Sequence, residues 1–538
     1  MNRIPARVAL GGAMVATLLV AGPGVTADPG RAAAGPPSDP VLAKACSDLA
    51  SQQSPAFRVE TSEWVNANAN QPGHCLFRVT LDPRTSGVDG LSYGTGIELR
   101  MPLNWNGRLL VQGGGGLNGT LNAAVGNVAG HPSALQRGFA VASNDGGHRS
   151  RGMLDASWAL DQQARLDFAY QSVERTTREA KSLVNRYYGR SADYTYFMGC
   201  STGGREAMLS AQRLPLLFDG VVAGDPAWNF TRLVMNQAWS LQVVSRIAPK
   251  GADGKPDYSR AFTDAQLKGV SDAVLKKCDA LDGLADGMIN DFRACRFDPQ
   301  EQVCDATSDP RGASCLTDAQ ASALRDIFGG ARNSRGESLY GSTPIDTGIA
   351  QPAWRSIHLG SNGGTPGNGT LGAETLRMYA MTPAQPDLDP LKFDFDRDVA
   401  RLVETAAIND AVGTDHSTFA GKGGKLIVYH GISDQGMYTG PLTDWYDRVT
   451  PRDASGPQSW ARLFLVPGML HCSGGQATDR FDMLDAIQKW VEQGQAPDQV
   501  IATGTAFPGR TRPLCPYPKV ARYVGSNPED AASFSCRN

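Results

Sequence analysis

The chain has 538 residues, with 51 Lys+Arg against 54 Asp+Glu for a net charge of −3, 41% hydrophobic and 20% charged residues. That balance excludes the basic surface of a general nucleic-acid binder, and the apolar share excludes wholesale disorder. The length calls for two or more folding units, or for one catalytic core carrying a long insertion.

Arg3 and Arg7 precede an apolar run over 8–21, and Val25-Thr26-Ala27 follows as a small-residue cleavage site. Residues 1–27 therefore read as a secretory signal peptide. Gly11, Gly12 and Gly22 interrupt the run, which is shorter than the ~20 apolar residues of a membrane span. Without Arg3 and Arg7 the balance becomes 49 basic against 54 acidic residues, a net charge of −5. No later segment is long and apolar enough to cross a bilayer, so a soluble product, secreted or periplasmic, is expected. In that oxidising setting the ten cysteines favour five disulfides over metal sites. Residues 28–45, rich in Pro, Gly and Ala, read as a mobile leader, with order expected from Cys46.

Further along, strands are expected over 97–101, 108–112, 139–143, 194–198 and 220–223. Helices are expected over 162–188 and 206–214. Alternating strands and helices argue for a mainly parallel α/β sheet. The alternation stops between about Trp228 and Ala400, where Gly, Asp and Pro punctuate the chain, and resumes with strands over 425–429 and 462–466. A helix over 480–493 follows, with Phe481, Leu484, Ile487 and Val491 on one face. The expected organisation is a catalytic core over 28–227 and 401–538, interrupted by an inserted domain over 228–400.

Gly199-Cys200-Ser201-Thr202-Gly203 is a G-x-S-x-G motif between an expected strand and an expected helix. That context exposes a serine Oγ on a sharp turn, with the following N–H facing an oxyanion. Gly90-Leu91-Ser92-Tyr93-Gly94 matches the same pattern but leads into a strand, so Ser92 is a decoy. A serine nucleophile needs a base, and the chain offers His74, His131, His148, His358, His416, His430 and His471. The α/β-hydrolase order is serine, acid, histidine. His471 follows the strand over 462–466, and Asp434 follows the one over 425–429, with Asp444 and Asp447 as weaker substitutes. In this reading Ser201 attacks a carbonyl, His471 relays the proton and Asp434 orients the imidazole. Cys200 precedes the serine and Cys472 follows the histidine, so a disulfide between them would hold the two loops together.

Gly199-Cys200-Ser201-Thr202-Gly203-Gly204, His430-Gly431-Ile432-Ser433-Asp434 and Val466-Pro467-Gly468-Met469-Leu470-His471-Cys472 resemble the tannase and feruloyl esterase family. So do Trp105-Asn106-Gly107-Arg108 and Phe218-Asp219-Gly220-Val221-Val222-Ala223-Gly224. The resemblance spans roughly Cys46 to the carboxyl end. It implies an α/β-hydrolase core with a large lid, acting on small esters of aromatic or phenolic acids: gallic, ferulic or terephthalic. It also implies pairing of Cys46 with Cys75, Cys278 with Cys295, Cys304 with Cys315 and Cys515 with Cys536.

Between Cys278 and Ile289, three Asp at i, i+3 and i+7 with two Gly supply oxygens of the kind calcium takes. The spacing is not that of an EF-hand, and by itself also suits a solvated acidic turn. The resemblance makes it a structural Ca²⁺ loop, with Asp279, Asp282 and Asp286 as carboxylate ligands and Leu284 and Met288 as carbonyl ligands.

The glycine run over 113–119 satisfies G-x-G-x-x-G and admits a nucleotide-dependent oxidoreductase, provided that a helix follows to receive the pyrophosphate. The sequence after it is a poor helix. The favoured reading is an oxyanion loop, in which the N–H of Gly114 or Gly115 joins that of Thr202. A third reading is a non-catalytic secreted binding protein. In the lid, Trp239, Trp354 and Tyr379 are candidates for an aromatic wall and Arg355 for a carboxylate or phenol contact.

Overall fold

One nine-stranded sheet organises the protein, with the strand order β1-β2-β3-β5-β4-β6-β7-β8-β9. The computed structural model describes residues 39–150, 152, 155–305, 312–360, 364–449 and 457–538; the signal peptide expected over 1–27 lies outside them. β1 (Phe57–Val65), β2 (His74–Thr85) and β3 (Ser92–Pro102) form an antiparallel meander, and β3 pairs antiparallel with β5 (Ala140–Asn144). β4 (Arg108–Gln112), β6 (Tyr194–Cys200), β7 (Gly220–Gly224), β8 (Lys425–Gly431) and β9 (Ala461–Val466) continue from β5 in parallel. Every residue of β5 and β7 is buried, as expected of parallel strands covered on both faces.

Helices supply that cover. On one face Met208 and Leu209, from helix Thr202–Arg213, meet Trp445 and Tyr446, from helix Thr439–Arg448. On the other, Leu484, Ile487 and Trp490 of helix Met483–Gln493 pack on Tyr196 and Val222, with Phe481 and Val491 alongside. That helix begins at Met483, not near Arg480, because the Asp482 side chain accepts the Asp485 N–H and caps it there. The helical stretch from Gln162 to Tyr188 is interrupted by one π-turn, Asp167–Gln171.

Order begins earlier than Cys46. Helix Asp39–Leu49 places Leu42, Cys46 and Leu49 in the cluster beneath Phe77 and Ile97. The spacing of 42, 46 and 49 is one helical face, which outweighs the loop-like composition around it. Cys46 is bonded to Cys75 in β2.

The chain leaves the sheet at Gly224 and rejoins it at Lys425. Among the described residues this insertion holds helices and no strand of the sheet, including Phe230–Ile247, Asp264–Cys278, Asp318–Gly329 and Pro352–His358. Val244, Phe262, Leu267, Leu324, Ile327 and Trp354 form an apolar cluster within it. No described helix is long and apolar enough to cross a membrane.

Candidate active site

Ser201 sits between the end of β6 and helix Thr202–Arg213 with φ 64° and ψ −122°. A non-glycine residue at positive φ is costly and persists where its surroundings over-determine it. Here the Ser201 N–H donates to Gly224 O at 3.0 Å and the Ala227 N–H donates to Ser201 O at 3.1 Å, stitching the turn to the end of β7. The motif's glycines are steric requirements: a Cβ on Gly203 would stand 2.8 Å from Gly114 O, and one on Gly204 would stand 2.3 Å from Gly224 O. Ser92 begins β3 and pairs with Thr85, with no such turn.

Asp434 follows β8 and His471 follows β9, and the two meet: His471 Nδ1 is 2.6 Å from Asp434 Oδ2. The N–H groups of Gly436 and Met437 donate to Asp434 Oδ1 at 2.8 and 2.9 Å. Burial alone pushes Asp434 up, but His471 outweighs it and brings the carboxyl down to about 2. Burial likewise pulls His471 down, yet the charge and hydrogen bond of Asp434 win and carry the imidazole up to about 9. The His471 side chain keeps 23% of its surface exposed. Cys200 is bonded to Cys472 with 6.0 Å between their Cα atoms, which brings the residue after one and the residue before the other to the same place. Asp447 is engaged elsewhere, by Tyr517 Oη at 3.0 Å. His430 is buried with its Nδ1 3.3 Å from Asp225 Oδ1, and burial takes it down to about 4, so it is a neutral core histidine.

The glycine loop after β4 is fixed to the start of helix Thr202–Arg213. The Gly203 N–H donates to Gly114 O at 3.0 Å, and Thr202 Oγ1 donates to Gly116 O. Glu206, 1% exposed, accepts the Gly114 N–H at 2.9 Å and Asn118 Nδ2 at 2.9 Å. Gly114 is thereby corrected as an oxyanion donor: its only N–H is engaged by a buried carboxylate. Gly115 remains, with nothing within 4 Å of where its Cβ would be. No helix lies between Gln112 and Ala140, so the run has no helix N-terminus to receive a pyrophosphate and the dinucleotide reading fails.

A family model described as "Tannase and feruloyl esterase" matches residues 81–537. The chain belongs to the tannase and feruloyl esterase family. It is 39% identical over 532 residues to the mono(2-hydroxyethyl) terephthalate hydrolase of Piscinibacter sakaiensis, covering 89% of this chain and 88% of that one. It is 30% identical to a probable feruloyl esterase of Arthroderma benhamiae, over 82% of each chain. The crystal structure of feruloyl esterase B from Aspergillus oryzae superposes with a TM-score of 0.78 at 26% identity, covering 92% of this chain and all of that one. The fold is the α/β-hydrolase fold, and the tannase and feruloyl esterase family makes the protein a carboxylic ester hydrolase.

The four cysteine pairs implied by the family resemblance are present, Cys46–Cys75, Cys278–Cys295, Cys304–Cys315 and Cys515–Cys536, as is Cys200–Cys472, expected from its place beside Ser201 and His471. Near Cys278, the Asp279 carboxylate accepts the N–H groups of Asp286 and Gly287 at 3.0 to 3.1 Å. Asp282, 2% exposed, accepts from Asn290 Nδ2 and the Leu284 N–H, and Asp286 pairs with Arg512. Burial, then the charges of Asp286 and Asp279, push Asp282 up to about 6. The three carboxylates do not all close to within 4.8 Å of one another. Gly283 and Gly287, at φ 101° and 88°, turn the loop, and its carboxylates are oxygen donors of the kind that a hard cation takes.

The four lid candidates for substrate contact all make internal contacts. Tyr379 is fully buried and donates to Asn409 Oδ1 at 2.9 Å. Trp354, 3% exposed, stacks on His358 with centroids 4.5 Å apart. Trp239 donates to Asp326 O at 2.9 Å and packs edge-on to Phe395. Arg355 is tied to the Phe262 and Ser259 carbonyls and to Asp264. Trp354, Trp239 and Arg355 are held within the insertion, whereas the Tyr379 ring packs on Trp158 and Phe168 of the core. Parts of that insertion brace the acid loop instead: Ser433 Oγ donates to Asp346, His358 Nε2 is 3.0 Å from Gln435 O, and Tyr438 Oη donates to Ile327 O at 2.7 Å.

Sequence reasoning missed Glu206 and Asp225. The second lies at the carboxyl end of a central parallel strand beside the serine's own strand, where ligand and catalytic groups gather in open α/β sheets. That position was the available signal.

Proposed function

We propose that the protein is an exported serine esterase of aromatic or phenolic acids working through an acyl-enzyme. The observation that carries the reading is the 2.6 Å His471–Asp434 contact on a loop whose next residue, Cys472, is disulfide-bonded to Cys200 beside Ser201. Ser201 Oγ attacks the ester carbonyl while His471 Nε2 takes its proton, and Asp434 holds the imidazole tautomer and stabilises the imidazolium. The N–H groups of Thr202 and Gly115 receive the tetrahedral oxyanion. Collapse expels the alcohol with the proton from His471. A water molecule, deprotonated by His471, then attacks the acyl-serine and releases the acid.

The insertion over 228–400 acts as the lid domain, and the loop of Asp279, Asp282, Asp286 and the Leu284 and Met288 carbonyls holds a structural Ca²⁺. That ion would neutralise the loop's carboxylates and takes no part in ester cleavage. The 39%-identical relative is named for a terephthalate ester and another relative for feruloyl esters, so the acyl group is an aromatic acid. The test is hydrolysis of mono(2-hydroxyethyl) terephthalate, methyl ferulate and methyl gallate by the wild type and Ser201→Ala. Turnover of at least one by the wild type, abolished in the variant together with fluorophosphonate labelling, is expected. A Ser201→Ala variant of undiminished activity would sink the reading.

A further inference from the structure

Asp225 is the residue after β7, at φ 34° and completely buried behind the His471–Asp434 pair. Its Oδ1 accepts the Gly431 N–H at 2.7 Å and its Oδ2 the Cys472 N–H at 3.2 Å. Its own N–H donates to Tyr429 O at 2.8 Å, and Cys200 Sγ lies 3.9 Å from Oδ2. One carboxyl thus touches the end of β8 that leads to Asp434, the backbone beside His471, and the disulfide beside Ser201. An oxygen of Asp225, an oxygen of Asp434 and a ring nitrogen of His471 all lie within 4.8 Å of one another.

A Ser-His-Asp mechanism uses one carboxylate, and this pocket holds two. Two buried carboxyls that close do not both ionise, because a like charge without solvent is costly. Asp434 has His471 as its cationic partner and keeps the charge. Asp225 also faces His471, but burial and then the charge of Asp434 outweigh the downward pull of the His471 charge and the Gly431 N–H, and drive its carboxyl well above the usual range. The other groups facing Asp225 are His430 and Tyr429 from β8. Burial lowers the first and raises the second, so both are neutral near pH 7.

We propose that Asp225 is a positioning residue that stays a neutral carboxylic acid, donates a hydrogen bond to the Asp434 carboxylate and holds the His471 loop through the Cys472 N–H. The proposal rests on reading Ser201, His471 and Asp434 as the triad. Its chemical consequence is on basicity. A hydrogen bond donated to Asp434 withdraws part of the charge that acts on His471. The imidazole is then less basic than a bare carboxylate would make it, and is available as a base at lower pH.

The experiment compares Asp225→Asn and Asp225→Ala in the full chain by the pH dependence of kcat/KM on an aromatic ester, with fluorophosphonate labelling and thermal melting alongside. Asparagine reproduces the neutral donor but its Nδ2 cannot accept a backbone N–H, so Asp225→Asn is expected to lose about threefold to tenfold in kcat/KM while its acid limb stays in place. Asp225→Ala removes the donor and frees two buried N–H groups, so kcat/KM is expected to fall roughly tenfold or more. Its acid limb is expected to move up by about half to one pH unit. An Asp225→Ala limb that does not move would reduce Asp225 to a strut. A downward move of the Asp225→Asn limb would mean that Asp225 is ionised in the wild type; either result overturns the proposal, and the second decides the matter even if Asp225→Ala does not fold. Wild-type protein that fluorophosphonate leaves unlabelled defeats the triad reading, and this proposal with it. Labelled wild type with either contrary limb defeats this proposal alone.

Discussion

A protonated His471 cannot take a proton from Ser201, so the balance of forces on one imidazole sets the working pH. Burial favours the neutral ring, but Asp434 at 2.6 Å outweighs it and lifts the pKa from 6.5 to about 9. kcat/KM should therefore climb through an apparent pKa above 6.5, measured on an uncharged aromatic ester. Asp434→Asn should lower that pKa and reduce kcat about 10⁴-fold, because the amide no longer selects the tautomer. The same linkage acts on stability. With the folded His471 pKa raised, the pair's contribution is complete below pH 6.5 and is lost as pH rises through about 9. With Asp434 depressed to about 2, the contribution is also lost as pH falls through that value. Melting temperatures of wild type and His471→Ala across the alkaline range should converge. Not every residue in this pocket was legible from the chain. Ser201, Asp434 and His471 each follow a strand in the order the chemistry demands, whereas Asp225, in Gly224-Asp225-Pro226, reads as a turn until the sheet places it beside them.

At the scale of elements, the parallel strands β4 to β9 were legible because they are buried on both faces and so carry short unbroken apolar runs. β1 and β2 were not. The first is half-exposed along its length and shifts register between Val59 and Thr61, which erases the two-residue alternation that marks a strand. The acidic loop after helix Asp264–Cys278 was legible as a cluster of oxygens, and the Cys278–Cys295 bond closes it. Cross-linking a loop of that length contributes about 3 kcal/mol in the chain-entropy model. The proposed Ca²⁺ would add to this by mass action, about 2.7 kcal/mol when the free ion is at 100 times its Kd. Chelation with EGTA should lower the melting temperature and added CaCl₂ should restore it. Asp282→Ala, tested in the same melt, should be insensitive to both.

Across the whole molecule, all ten cysteines are paired, and the Cys200–Cys472 bond spans 272 residues of chain. A cross-link of that reach is worth roughly 5 kcal/mol by loop entropy, and it also fixes the two loops that carry Ser201 and His471. Protein made in a reducing compartment should expose titratable thiols and lose ester hydrolysis. Exported protein should show none under denaturing alkylation. Cys200→Ser with Cys472→Ser should cut activity more than stability alone explains, measured as kcat well below the melting temperature. The aromatic residues of the insertion show the opposite limit of sequence reading. Trp239, Trp354 and Tyr379 suit a substrate wall or a core equally well by composition, and only packing decides between them.

The bonds from Asp346 to Ser433, from His358 to Gln435 and from Tyr438 to Ile327 have a kinetic meaning. The inserted segment grips the residues on either side of Asp434, so swinging it away as a rigid flap would pull the acid off the imidazole at each turnover. The proposed lid would therefore work as a fixed cover and not as a moving flap. Solvent drag should then have little purchase on the catalytic cycle, and kcat measured in increasing sucrose should stay nearly flat with viscosity. A steep, linear loss would mean that the cover opens.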